Sequence, residues 1–267
     1  MFIDCHVHLD TFSDTEVGEV MQRADEVGVV AVISAGTTLA SSLHSIQLSA
    51  MYPGFFSGVG IHPMDIREDF TELTYRQLRS AAVSSDKVIV VSEIGLDFME
   101  GMPDRAMQYH AFRQQVRLAR ELDMPIVFHS RESHNEVFRV LKEERAFDVG
   151  GVMHYFQGDL ETAIRAIDLG FYISLARPLL RLPALQATAA NIPLASIVLE
   201  TDSAPQPFKS KRENWTEPRH IMEVAQKLAE LQEVPSEEVE KAVTLNMREM
   251  LGMRWESLER HVMMPTG

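Results

Sequence analysis

Cysteine is nearly absent from this chain. Cys5 is the only one in 267 residues, so no internal disulfide can form and nothing in the composition points to an oxidising compartment. Basic residues are also few. Lys and Arg total 25 against 39 Asp and Glu, and the net charge of −14 excludes the broad basic surface with which a protein coats a nucleic-acid backbone. A nuclease is not excluded, because bound divalent cations reverse the local sign of a cleft. No apolar run approaches the roughly 20 residues of a membrane span. The opening MFIDCHVHLD lacks the basic and apolar regions of a signal peptide, so a cytoplasmic protein with no membrane partner is expected. There is no Walker-type phosphate loop, no Cys-based zinc motif and no sign of an obligate protein partner.

What is present is a regular alternation. Eight short β-branched or aromatic runs, FIDCHVH, VVAVISAG, FFSGVGIH, VIVVSEIG, PIVFHS, VGGVMHYF, FYISL and SIVLETD, are separated by amphipathic stretches. One of these, Asp104–Leu122, places Phe112, Gln115, Val116, Ala119 and Leu122 on one helical face, and Pro125 then opens the next strand. Strict alternation implies a parallel sheet and predicts an α/β fold, a single (β/α)8 TIM barrel over residues 1–251, with an open doubly wound sheet as the alternative. Beyond the eighth strand, Glu217–Glu233 and Ser236–Met250 read as helices, the second with an incomplete capping box at Ser236–Val239. Residues 252–267 read as a C-terminal tail.

In such barrels chemistry sits where the strands end. Those ends carry His6 and His8, His62, Glu93, His129, His154 and Asp202, all of metal-ligand type. Side chains two apart on a strand share a face, so His6 and His8 can meet one ion, and Asp4 on the same face can orient a ligand. Cys5 then points away from the histidines, to pack against a helix. Each residue also has an ordinary reading: a lone His as a hydrogen-bonded core residue, Asp202 before Ser203 as a helix cap. The conjunction favours metal, since burying several imidazoles and two carboxylates at one rim is costly without a compensating charge. His44, His110, His134, His220 and His261 fall on expected helices or in the tail and receive no role.

The segments DCHVHL (4–9), GIHP (60–63), EIGLD (93–97), PIVFHSR (125–131), HYFQG (154–158) and ETD (200–202) together resemble the TatD family of metal-dependent deoxyribonucleases, in order and across nearly the whole chain. The resemblance implies an amidohydrolase-type barrel holding two divalent ions, of zinc, manganese, magnesium or iron. His6, His8, Glu93 and Asp202 would hold the first, Glu93, His129 and His154 the second, with Glu93 bridging. Asp202 would be the general base and His62 a contact to substrate phosphate, while Arg131 would pair with phosphate or lock a neighbouring loop. The implied activity is 3′-5′ exonuclease-like hydrolysis at a single-stranded DNA end.

Two stretches depart from the family pattern, Ser203–Pro218 and Ala176–Leu180, and they bear on substrate choice rather than on the ligands. Lys209, Lys211 and Arg212 in the first either steer a nucleic-acid end or form a solvated loop. Two rivals remain at this level. One is a deacylase, esterase or amidohydrolase acting on a small ester or on aminoacyl-tRNA; the other is an inert barrel serving as an interaction module. Related lactonase-type barrels bridge their metals with a modified lysine, whereas here Lys87 lies at the opposite end of the strand that carries Glu93.

Overall fold

A computed structural model describes residues 1–263. The eight expected strands form one parallel sheet in sequence order: β1 (Phe2–Val7), β2 (Val29–Ala35), β3 (Phe55–Val59), β4 (Val88–Asp97), β5 (Ile126–Arg131), β6 (Gly151–Met153), β7 (Phe171–Leu175) and β8 (Ile197–Leu199). A bridge between Val7 and Ser203 joins the last strand's end to the first, so the sheet closes as the predicted TIM barrel. The helices are α1 (Asp14–Asp25), α2 (Leu39–Met51), α3 (Glu72–Ala82), α4 (Arg105–Glu121), α5 (His134–Glu143), α6 (Leu160–Asp168), α7 (Pro183–Ala189), α8 (Ile221–Gln232), α9 (Ser236–Leu251) and α10 (Trp255–Leu258). None is long and apolar enough to cross a membrane.

Two apolar layers follow from strand alternation. Val32, Phe55, Val91 and Phe128 point outward to meet helix residues such as Phe112 and Val116, while Ile33, Phe56, Ile89, Val127 and Val198 fill the barrel. Helix α4 begins where expected because the Asp104 carboxylate accepts the Ala106 and Met107 amides at 2.8 and 3.2 Å. Helix α9 does not use the expected cap. Pro235 occupies the N-cap, and the Ser236 hydroxyl instead bonds Gln226 at 2.9 Å.

The barrel interior corrects the expectation for Cys5. Cys5 points into it beside Ile3, Ile33 and Val198, not against a helix: it shares the face of Ile3 two residues earlier, and the extra residue between Asp4 and Val7 breaks the alternation that would have set it opposite the histidines. Residues 252–263 of the expected C-terminal tail are helical: Trp255 and Leu258 join Met247, Met250 and Leu251 to plug the barrel floor. Residues 264–267 of the expected tail lie outside the described residues. Trp255 is only 5% exposed and its indole donates to Glu259 at 2.7 Å. Trp255→Ala is therefore expected to lower the unfolding free energy by about 3 kcal/mol in a denaturant titration; a loss under about 0.5 kcal/mol would mean the segment rests on the floor without supporting it.

Candidate metal centre

Glu93 sits at the centre of the strand ends because the β4 backbone is deformed there. It is the extra residue between Ser92 and Ile94 in the pairing with β5, and its φ is +57°. Such a bulge in the left-handed region turns a side chain out of its pleat, at a cost of about 1–3 kcal/mol for a residue with a Cβ. Asp202 (φ +53°) and Tyr155 (φ +49°) share this conformation after β8 and β6. Partners hold all three. The Asp202 amide donates to the His6 carbonyl at 3.0 Å, the Tyr155 amide to Glu200 Oε1 at 2.7 Å, and the residue two beyond Glu93 is Gly95, where a Cβ would collide with the His129 carbonyl.

Around one oxygen of Glu93 stand four imidazoles. Oε1 lies 3.7 Å from His6 Nε2, 3.6 Å from His8 Nε2, 3.8 Å from His62 Nε2 and 3.8 Å from His154 Nε2. Asp202 Oδ1 approaches from the other side, 3.3 Å from His8 Nε2 and 3.9 Å from His6 Nε2. These separations exceed hydrogen-bond lengths of about 2.7–3.2 Å, yet they match the spacing of donors about 2.0–2.2 Å from a shared ion. Both ring nitrogens of His6 and Glu93 Oε2 are buried without a hydrogen-bond partner, as is His154 Nδ1, which lies 3.2 Å from Glu200 Oε1 but out of line for a bond. Such orphans each cost about 1–3 kcal/mol, and a divalent cation between the imidazoles and Glu93 satisfies those that face it, His6 Nε2 and the Glu93 carboxylate. The donor set fits a metal.

Three triads bring their donor atoms within 4.8 Å of one another: His6, His8 and Glu93; His6, His154 and Asp202; and His62, Glu93 and His129. His129 and His154 do not meet in one triad; their rings lie 6.0 Å apart. His62 also makes a hydrogen bond of its own. Its Nδ1 accepts the Met64 amide at 3.1 Å, and burial holds its pKa down to about 3, so the neutral ring carries its proton on Nε2 and offers no lone pair there.

Charge in the cluster is balanced by opposition. Burial alone would raise the Glu93 carboxyl, but His8 and His6 outweigh it and hold it well below the usual range. Burial likewise works against the charged form of Asp202, which His8 nonetheless keeps at about 2. At His154 burial is overcome by Glu200, Asp202 and Glu93, raising its pKa to about 9, and His8 is raised in the same way by Glu93 and Asp202. His6 goes the other way, lowered by burial and by His154.

A second tier of residues fixes the first. Asp97, fully buried, accepts from His129 Nε2 at 3.0 Å and from Arg131 Nε at 2.8 Å; these bonds outweigh its burial and keep it ionised. Arg131 is thereby locked with its guanidinium at the cavity wall. From α4, Gln115 bonds both the amide and carbonyl of Ile61, and Gln108 does the same for Asp97. Asp4 makes no hydrogen bond to an imidazole, contrary to the expected role of orienting one. Its carboxylate accepts the Thr201 amide at 3.0 Å and the Thr201 hydroxyl, securing the backbone that carries Asp202. His134, set aside from the sequence, lines the cavity and bonds Ser130 at 2.7 Å. Lys87 does lie at the far end of β4, its ammonium held by the carbonyls of Ser49, Tyr52 and Pro53. Asp97 and Glu200 were missed as supporting residues, although each stands at even spacing from a recognised one, Glu93 and Asp202. The cavity above the cluster has a volume of about 550 Å³.

A barrel with this donor cluster at its strand ends is a metal-dependent hydrolase. The chain belongs to the TatD family: residues 3–252 match the family described as TatD related DNase. It is 31% identical to the uncharacterized metal-dependent hydrolase YabD of Bacillus subtilis, over 94% of this chain and 98% of that protein. It is 30% identical to the human deoxyribonuclease TATDN3, over 91% of this chain and 92% of that one. Among solved structures, the TatD homolog YJJV of Escherichia coli superposes with a TM-score of 0.85 at 29% identity, covering 93% of this chain and 97% of that one.

With His154 and His8 carrying protons at neutral pH in the metal-free protein, cation binding must displace them. Calorimetric titration with Mn²⁺ at pH 7, in buffers of different ionisation heat, is expected to show release of at least one proton, with affinity weakening as pH falls from about 9. Uptake of metal with no proton released would contradict the charge assignment.

Proposed function

We propose that this protein is a deoxyribonuclease that hydrolyses phosphodiesters at a single-stranded DNA end, 3′-to-5′, with two divalent ions shared across Glu93. The observation that carries the reading is Glu93 itself, one carboxylate oxygen nearly equidistant from four imidazoles on three strand ends while its second oxygen has no protein partner. His6, His8, Glu93 and Asp202 would hold the first ion; Glu93, His129 and His154 the second. Mixed imidazole and carboxylate donors suit zinc, manganese or iron, and magnesium less well. When bound, such a pair neutralises phosphate charge and lowers the pKa of water.

The chain's own groups supply the rest. Asp202, ionised and opening on the cavity, takes the proton of the attacking water. His62 Nε2–H donates to a non-bridging phosphate oxygen, a role its fixed tautomer suits. Arg131, oriented by Asp97, offers its remaining N–H groups to the same phosphate. The human relative's activity as a deoxyribonuclease supports the substrate class.

Incubation with 3′-labelled single-stranded DNA and Mn²⁺ or Mg²⁺ is expected to release labelled mononucleotide, and Asp202→Asn to reduce the rate by a factor of about 10² or more. No nucleotide release at any metal concentration would overturn the nuclease reading in favour of an ester or amide hydrolase on the same scaffold.

A further inference from the structure

Beside the metal cavity, sharing Tyr155 as a common wall, lies a second cavity of about 460 Å³. The segments after β7 and β8 build it. Its lining includes Arg177, Arg181, Phe208, Lys209 and Asn214, and no carboxylate, in a chain where acidic residues outnumber basic ones by 39 to 25. The cations are not equally committed. Arg177 is paired with Glu223 at 3.1 Å, and Lys209 donates to the Asn214 carbonyl at 2.7 Å, a neutral partner. Arg181 has no ion pair or side-chain hydrogen bond among the described residues and is exposed at the rim. Lys209 and Arg177 both line the cavity, and burial together with the Arg177 charge lowers the proton affinity of Lys209. Phe208, 80% exposed, is the most exposed large apolar side chain described.

Its neighbours in sequence do other work. Arg212 stacks on Phe12 and Trp215 and pairs with Glu16 and Glu217, and Lys211 pairs with Glu213. Of the three basic residues noted in this loop, only Lys209 lines the cavity.

We propose that this cavity is a subsite for the nucleotide adjoining the one whose phosphate is cleaved, with Arg181 and Lys209 holding its phosphate and Phe208 stacking on its base. The inference rests on the nuclease reading above and narrows its substrate class to oligonucleotides over small diesters. An exposed aromatic next to unneutralised cations is what single-stranded nucleic acid uses: a sequence-tolerant stacking face and a backbone contact. Charge adds to this, because two like cations lining one cavity repel until an anion enters.

The test is binding of a fluorescein-labelled phosphorothioate single-stranded decamer to the Mn²⁺-loaded full chain, read by anisotropy across a salt series. Arg181→Ala and Phe208→Ala are each expected to weaken binding about tenfold, with melting temperatures matching the parent. Arg181→Ala alone should also lower the log–log salt slope by about 0.7. Decamer binding unchanged in both variants would overturn the subsite while leaving the nuclease reading intact. If the variants lose binding as expected but the parent releases no nucleotide from unmodified DNA, the nuclease reading falls, and with it the cleavage subsite, leaving the cavity as a contact for single-stranded DNA alone.

Discussion

The structure depends on placing one carboxylate where no regular strand would put it. Glu93 occupies a left-handed bulge in β4, and its Oε1 is the point at which imidazoles from β1, β3 and β6 converge at 3.6–3.8 Å. Without a carboxylate there, His6, His8 and His154 would crowd one another in a buried space, the rings of His6 and His154 only 3.9 Å apart. Mutual charge opposition keeps Glu93 and Asp202 ionised and His8 and His154 protonated, so the site holds anionic donors and displaceable protons. A cation entering it replaces protons rather than opening new space.

The surrounding architecture serves that placement. Asp4 and Thr201 fasten the backbone of Asp202, Glu200 holds the amide of Tyr155, and Asp97 fixes His129 and Arg131 together. Two glutamines seven residues apart on α4 brace Ile61 beside His62 and the backbone of Asp97. These are bonds between side chains and irregular backbone, which is the cost of bending strands at their ends. Once they are made, the surrounding structure holds Glu93, Tyr155 and Asp202 in their left-handed conformations.

Much of this was legible in the sequence because it follows from periodicity. Eight apolar runs became eight strands in order, helix α4 fell within a residue of its expected ends, and the seven strand-end residues were brought to one rim. What was not legible involves broken periodicity or partners distant in sequence. The extra residue between Asp4 and Val7 breaks the alternation of β1, so that Cys5 keeps the inward face of Ile3 although the neighbouring His6 turns to the metal site. The role of Asp97 depends on His129 and Arg131 in the next strand, and that of Asp4 on Thr201 at the far end of the chain. His134, on a helix, reaches the site only because α5 starts at the rim, and the floor plug at Trp255 has no periodic signature in so short a helix. The segments after β7 and β8 are the ones that build the basic cavity.

The central claim is that Glu93 is shared by two metal ions, and anomalous diffraction from crystals grown with Mn²⁺ tests it most directly. The account predicts two anomalous peaks about 3.5–4 Å apart, one on either side of the Glu93 carboxylate. A single peak in metal-replete crystals, or peaks that leave Glu93 uncoordinated, would contradict it.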